Sequence, residues 1–242
     1  MSDAYYRLVL MVGVLAVLIW SAIGPHDRVT WWLETAPVWA GLAVLIFTHQ
    51  RFPLTRLAYT LIAVHMLILC VGGHYTYALV PAGEWVRDMV EGTRNNYDKL
   101  GHFWQGFCPA IVARELIVRT SPLRSGGWLY FLVLCFALAL SAVYELIEWA
   151  AALVFGGDLG VHYLGTQGDV WDGQRDMALA ALGAVLAMLW PMVRQRRAAR
   201  PQARRPVRTR RGVFESSSSA LDTGVRQRAA ACRRGRRVEC RT

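Results

Sequence analysis

The sequence predicts an all-α protein, a polytopic membrane bundle of six transmembrane helices with both termini in the cytoplasm. Hydrophobic residues make up 55% of the 242 residues and the mean hydropathy is +0.28, more apolar material than one soluble core of this size requires. Six apolar runs approach the roughly 20 residues that a spanning helix needs. They cover residues 6–23, 31–48, 54–71, 97–118, 126–155 and 169–193. A transmembrane domain over residues 1–193 is therefore predicted, followed by a tail over 194–242.

The first three runs are predicted to be retained membrane helices. Arg7 is only a weak positive lead for a signal peptide, no clear small-residue cleavage site follows run 6–23, and further spans come after it. Trp20, Trp31 and Trp32 flank the first connection, where tryptophan favours anchoring at the membrane interface. The third run contains His65, an isolated histidine whose expected role is structural.

Two connections carry some pattern of their own. The segment 81–96 is too polar to span, yet Trp85, Val86, Met89 and Val90 share one helical face. A helix along the outer membrane surface and an ordinary helix packed on the bundle fit this pattern equally well. The glycine-rich connection 156–168 lacks periodicity and is predicted to be an irregular loop.

The basic residues predict the orientation of the bundle. Arg51, Arg56, Arg119 and Arg124 lie in connections that fall on the same side as the tail in a six-span chain. The opposite connections have mixed or acidic charge. The excess of positive charge in cytoplasmic loops then places both termini in the cytoplasm of a bacterial inner membrane.

The tail accounts for the basic character of the chain. Residues 194–242 contain 16 arginines against three acids, a net charge of +13, whereas the remainder has 11 basic and 14 acidic residues, a net charge of −3. With few large apolar residues to bury, the tail is predicted to be disordered. An arginine cluster beside a span favours anionic lipid head groups over nucleic acid as its partner, and a solvated topology signal without a partner is an equally good interpretation.

Seven ionisable residues stand at the ends of apolar runs, where charge costs at least ~2.5 to 3.5 kcal/mol in hydrocarbon. They are Asp98, His102, Glu145, Glu148, Asp169, Asp172 and Asp176. In the predicted orientation, all seven lie near the outer ends of the last three helices. Within each helix they recur at spacings of three, four or seven residues, which places them on one stripe. A single site formed by three helices is therefore predicted.

The acids in this set outnumber the nearby bases, so a cation, protonation or hydrogen-bond donors must compensate them. Carboxylates with one imidazole suit a divalent metal such as magnesium, manganese, calcium or zinc. The predicted metal ligands are Asp98, His102, Asp169, Asp172 and Asp176, and the predicted catalytic residues are Glu145, Glu148 and His102. Asp169 has an alternative as a helix cap, and Asp98 with His102 as a cap or polar contact.

Three motifs carry a family resemblance: YDKLGHFWQGF, YELIEW and GTQGDVWDGQRDMALAALGA. They resemble the YjdF-like inner membrane proteins, a family of unknown function, over about residues 1–193. Asp98, Lys99 and His102, the acid pair on the next helix and the last-helix Asp with Gly183 also resemble the VanZ-like membrane proteins linked with glycopeptide tolerance. The resemblance implies a compact helical bundle in the inner membrane and supplies no reaction.

Three functions are compatible with these patterns. The first is a metal-assisted hydrolase or transferase acting on a lipid or lipid-linked head group, with a glutamate as general base. The second is a noncatalytic protein whose polar cluster ties helices together or binds a partner. The third is a proton- or cation-coupled transporter, against which the lack of an evident inverted repeat counts. Walker, Rossmann, nucleophile-elbow and HExxH motifs are absent from the sequence.

Overall fold

A computed structural model describes residues 2–155, 157 and 166–189. Within these residues the chain forms seven α-helices and no strand. The helices are α1 (Asp3–Ser21), α2 (Arg28–Thr48), α3 (Arg56–Tyr75), α4 (Pro81–Met89), α5 (Tyr97–Thr120), α6 (Gly127–Phe155) and α7 (Asp172–Leu189). The predicted all-α bundle is confirmed. Most of the predicted loop 156–168 and the whole tail 194–242 lie outside the described residues, so the division of the chain at 193 stays a prediction.

Among the described helices, four are long and apolar enough to cross a membrane: α1, α2, α3 and α6. The chain is therefore a multi-pass membrane protein. Helices α5 and α7 are more polar because acids and bases occupy their first turns. The acids of these turns, Asp98, Asp172 and Asp176, are buried among the helices, which is how such residues are tolerated in a membrane protein. The count of six spans and the cytoplasmic termini stay predictions.

The first three helices form a layer in which α1 and α3 run in the same direction and α2 runs against them. At one end, the Trp31 indole N–H donates to the Ser21 hydroxyl at 3.0 Å, and the His74 ring stacks on Trp20 at 4.5 Å between centroids. At the other end, the Tyr6 hydroxyl hydrogen-bonds that of Thr60. The Asp27 carboxylate starts α2 by accepting from the Thr30 N–H at 2.6 Å.

Helices α5 and α7 pack closely along small residues. A Cβ added at Gly106 of α5 would collide with the Ala180 backbone of α7, and one at Gly183 would collide with the Phe103 carbonyl. Glycine at these positions lets the two backbones approach, a device common between membrane helices. Around this crossing lies a core of buried residues from α3, α5, α6 and α7, including Phe107, Leu129 and Ala184. Because α5 and α7 run in parallel, their polar first turns meet at one end of the bundle, here called the polar end.

Helix α4 confirms that the segment 81–96 contains an amphipathic helix. Trp85, Val86 and Met89 are exposed on it, while Gly83 is buried against the Asn95 side chain. The side-chain amide of Asn95 donates to the Val80 carbonyl, and the backbone carbonyl of Asn95 accepts from the Gln167 side chain. The segment before α5 is thus tied to the chain just before α7. Contact of α4 with the membrane surface stays a prediction.

Candidate functional site

The site is built on the first two turns of α5, where one helical stripe is buried. Asp98, His102 and Gln105 are 8%, 5% and 9% exposed. They follow each other at spacings of four and three residues, so their side chains leave the helix on the same face. That face meets α6 and α7. Glu148 on α6 and Asp176 on α7 are equally buried, at 6% and 2% exposure.

His102 stands at the centre, with carboxylates on both sides of its ring. Its Nε2 lies 3.3 Å from Asp98 Oδ1 and 4.0 Å from Asp176 Oδ2. Its Nδ1 lies 2.9 Å from Gln105 Oε1 and 3.5 Å from Glu145 Oε1. In the tautomer with the proton on Nδ1, the ring donates to Gln105 and turns the Nε2 lone pair toward the two aspartates.

Two groups of three residues bring possible ligand atoms within 4.8 Å of one another. One group is Asp98, His102 and Asp176, and the other is His102, Glu145 and Glu148. The predicted convergence of three helices is thus seen in the structure, with His102 common to both groups. Of the two neighbours of the glutamates, Tyr144 reaches the site, whereas Trp149 is 58% exposed.

Arg94 and Lys99 bring positive charge to the remaining aspartates. Arg94 Nη1 lies 2.6 Å from Asp172 Oδ1, and the guanidinium also approaches Asp98 at 3.5 Å and Asp169 at 3.6 Å. Lys99 Nζ lies 3.5 Å from Asp172. Partial burial opposes the charge on Arg94, but the bond to Asp172 and the neighbouring acids outweigh it and raise the pKa of the guanidinium.

Asp169 and Asp172 lie outside both groups around His102. Asp169 precedes α7, accepts from the Trp171 N–H at 3.1 Å and pairs with Arg175. The hydrogen bond from Trp171, together with Arg175, lowers the pKa of Asp169. This matches the alternative of a helix-start role more than that of a ligand. The two residues form ion pairs with Arg94 and Arg175 beside the site, and their role as metal ligands stays a prediction.

Glu34 is a site residue that the sequence patterns did not single out. It lies on α2 at 3% exposure and accepts a hydrogen bond from the Tyr144 hydroxyl at 3.1 Å. The signal was available, since an acid within an apolar run is as costly there as at Glu145. Its partner on α6 is 110 residues away, and no local spacing links the two.

A cavity of about 110 Å³ adjoins these side chains. It has room for several water molecules or a hydrated ion and is smaller than the sites that usually hold drug-sized ligands. His65, expected only to be structural, is on its wall. The lining residues come from α2, α3, α5 and α6 and from the short segment before α4: Glu34, Pro37, His65, Leu69, Tyr77, Asp98, Gly101, His102, Gln105, Leu140, Tyr144 and Glu148.

The fold and the buried polar site define a class of multi-pass helical membrane protein, and comparison with known proteins places the chain within it. The chain belongs to the family of predicted membrane proteins designated DUF2238, which matches residues 6–197. It is 51% identical over 174 residues to the inner membrane protein YjdF of Escherichia coli strain K12, covering 72% of this chain and 83% of the relative. The expected family is thereby confirmed, and the relative's name agrees with the expected location in the inner membrane. No solved structure matches the chain.

Proposed function

We propose that Asp98, His102 and Asp176 bind one divalent cation, and that the protein uses it as a hydrolase or transferase on phosphate-bearing lipid head groups. The observation that carries this proposal is the orientation of His102. Its Nδ1 is engaged by Gln105 at 2.9 Å, while Nε2 faces two carboxylates. Metal-binding histidines commonly donate their second ring nitrogen to a neighbouring acceptor, which fixes the tautomer.

The donor set also suits a cation by charge. Seven carboxyl groups lie around the polar end, whereas only three side chains there, Arg94, Lys99 and Arg175, carry a permanent positive charge. The carboxyl groups belong to Glu34, Asp98, Glu145, Glu148, Asp169, Asp172 and Asp176. Asp176 Oδ1 and Glu145 Oε1 are buried and make no hydrogen bond among the described residues. Buried oxygens without a donor are costly. Lys99 Nζ lies 3.8 Å from Asp176 Oδ1, and a divalent ion would supply further positive charge beside both oxygens.

In the proposed reaction, a cation held by Asp98, His102 and Asp176 would polarise a phosphoryl oxygen of the head group and lower the pKa of a water molecule. Glu145 or Glu148 accepts the proton of that water as its oxygen attacks phosphorus. The phosphorus–oxygen bond to the leaving group then breaks, and the leaving oxygen takes up the proton that the glutamate accepted from the water. Asp98, His102 and Glu148 line the cavity, whose volume of about 110 Å³ is too small for a lipid, so a head group must approach from the polar end with some separation of the helices.

The first experiment measures metal binding on the full-length chain purified in detergent. We expect close to one equivalent of magnesium, manganese, calcium or zinc by elemental analysis, or a rise in Tm when one of these is added. Asp176→Asn and His102→Gln should abolish the binding. Glu84→Gln, which neutralises an exposed acid on α4, is the matched control and should bind like the parent chain. Lack of binding or stabilisation by any of the four metals would overturn the proposal.

The second experiment measures the reaction. Phosphate or head-group release from phosphatidic acid and from a polyprenyl diphosphate is followed in mixed micelles with the metal that binds. Glu145→Gln and Glu148→Gln should retain the metal, and the one that replaces the general base should lose about 100-fold or more in rate. Metal binding without turnover of either substrate class would support the ion site and contradict the proposed hydrolase or transferase activity.

A noncatalytic function is the second candidate, and the ion pairs of Arg94 and Lys99 favour it. These two bases join α5 to α7 through Asp172 and Asp176. Such contacts hold helices together without any chemistry, each contributing on the order of 0.6 to 2 kcal/mol. If neutralising Asp172 or Asp176 lowers stability by the same amount with and without added metal, the cluster ties the helices together without a cation and this candidate gains.

A further inference from the structure

A second concave surface lies at the opposite end of the bundle, between α1 and α2. The two helices meet where Trp31 bonds to Ser21 and separate toward their other ends, leaving a groove of about 510 Å³ that we call the α1–α2 groove. This volume is within the range of sites that hold small molecules. Its lining residues are Ala4, Arg7, Leu8, Leu10, Met11, Val14, Leu42, Leu45, Ile46, His49, Tyr59, Ile62, Ala63 and Met66.

The groove is apolar along its length and basic at its mouth. Ile62, Ala63 and Met66 of α3 form the floor, and aliphatic side chains of α1 and α2 form the walls. Arg7 and His49 lie at the open end, with the Arg7 guanidinium 5.8 Å from the Tyr59 ring centre. A ligand that fits this surface has a hydrocarbon part and a negatively charged end.

The length of the groove is close to the thickness of a single membrane leaflet. On α1 the lining runs over eleven residues, from Ala4 to Val14, which span about 15 Å at the rise of an α-helix. The hydrocarbon core of a bilayer is about 30 Å thick, so one leaflet is about half of that. An acyl chain of one lipid matches this depth.

The charge at the mouth is available to a ligand. Arg7 is half-buried, and within the described part of the chain it forms no ion pair with an acid. The nearby acid Asp3 instead pairs with Arg56. A guanidinium that is not paired with an acid recognises phosphate well, because its N–H groups match the geometry of two phosphate oxygens.

From these features we propose that the α1–α2 groove binds one anionic phospholipid. An acyl chain lies on the α3 floor, and the head-group phosphate contacts Arg7, with His49 beside it. The site is separate from the polar end and does not depend on the function proposed for it.

The test uses the full-length chain in detergent with added phosphatidylglycerol or phosphatidylethanolamine of identical acyl chains. Native mass spectrometry counts the lipids retained, and Tm is read in parallel. We expect one phosphatidylglycerol per chain to be retained preferentially. Arg7→Gln should weaken its retention about fivefold, the equivalent of the roughly 1 kcal/mol that a basic residue contributes at a lipid surface. Ile46→Trp, at a position that is 55% exposed, should fill the groove and abolish retention.

Arg51→Gln is the matched control, because Arg51 is exposed near the same end of α2 and does not line the groove. It should retain lipid like the parent chain. The tail is present in every variant, so a difference between Arg7→Gln and Arg51→Gln belongs to the groove. Equal retention of the two lipids, equal losses in the two arginine variants, or a dimer that Ile46→Trp dissociates would each overturn the proposal. The last result would identify a second copy as the occupant.

Discussion

Gly106 of α5 lies directly against the Ala180 backbone of α7, with no room for a Cβ between them. A side chain there meets backbone atoms, which cannot rotate away as the end of a side chain can. This contact sets the distance between the two helices that carry His102 and Asp176. The spacing of the candidate ligands therefore depends on a glycine that is not itself a ligand.

Gly106→Ala should destabilise the protein by about 1 to 3 kcal/mol through overpacking. Gly13→Ala on α1 is the control, since a Cβ there meets nothing within 4 Å and alanine is the better helix former. Thermal unfolding in detergent should show a lower Tm for the first variant and an unchanged or higher Tm for the second. A Gly106→Ala protein as stable as the parent chain would mean that the helices are not in this close contact.

Arg94→Gln should lower the free energy of unfolding by about 3 kcal/mol, because it leaves Asp172 and its neighbours without their shared cation. Arg87→Gln removes an exposed ion pair on α4 and should cost less than about 1 kcal/mol. In the double variant Arg94→Gln with Asp172→Asn, part of the lost stability should return. If the two substitutions are simply additive, the pair does not interact as its 2.6 Å separation indicates.

The N-terminal end of α2 should show a pH dependence that traces to Asp27. Burial opposes ionisation of this carboxyl, but the hydrogen bonds from Thr30 prevail and lower the pKa of Asp27. Its contribution is therefore complete above the unfolded pKa of about 3.9 and is lost as the pH falls through the lower folded value. Asp27→Ala should cost about 1 kcal/mol at pH 7 and progressively less below about pH 4.

Asp27→Asn separates capping from charge. Asparagine caps helices about as well as aspartate, so this variant should match the parent chain at pH 7. Because an amide does not titrate, its cap should persist at low pH, where that of the parent chain weakens. Tm measured from pH 3 to pH 7 for the three proteins decides the matter. A constant difference between Asp27→Ala and the parent chain over that range would exclude the ionised cap.

Tyr144→Phe should cost about 1 to 2 kcal/mol, because it removes the hydroxyl that donates to the buried Glu34 carboxylate. Tyr130→Phe on the same helix changes an exposed tyrosine, at 42% exposure, and should be neutral. Chemical unfolding of both variants measures the difference. Adding Glu34→Gln to Tyr144→Phe should recover stability, since the amide carries no charge to be left uncompensated.

The helical stripes made much of this site predictable. Asp98 and His102 share a face of α5 by spacing alone, and the alternating direction of the predicted spans brings the acids of α5, α6 and α7 to one end, as the structure shows. The side of the membrane that this end faces stays a prediction. The contacts that each individual acid makes could not be predicted from the sequence. Which carboxylates meet His102 and which meet Arg94 depends on the segment before α5, whose path is held by Asn95 and has no periodic signal.

Glu34 shows a different limit of prediction from the sequence. Its run, 31–48, has the composition of an ordinary spanning helix. Glu34 is recognised as a site residue only through its hydrogen bond with Tyr144 of α6. That contact joins residues far apart in the chain, so periodicity within α2 cannot reveal it. Helices α5 and α7 are predicted as spans but are more polar than the four apolar helices, for a related reason. Their charges are accommodated by one another rather than by sequence neighbours.

The single imidazole of His102 has a consequence for stoichiometry. Both groups of candidate ligands require it, one through Nε2 and the other through Nδ1. A ring nitrogen that binds a cation gives up its proton, and in the neutral ring the other nitrogen then holds the remaining proton. If the proposed ion occupies the aspartate side, the neutral ring keeps its proton on Nδ1 and offers no lone pair to an ion on the glutamate side. Under the proposed function, the imidazole of His102 therefore serves one ion at a time, and Nδ1 is the atom that holds its proton.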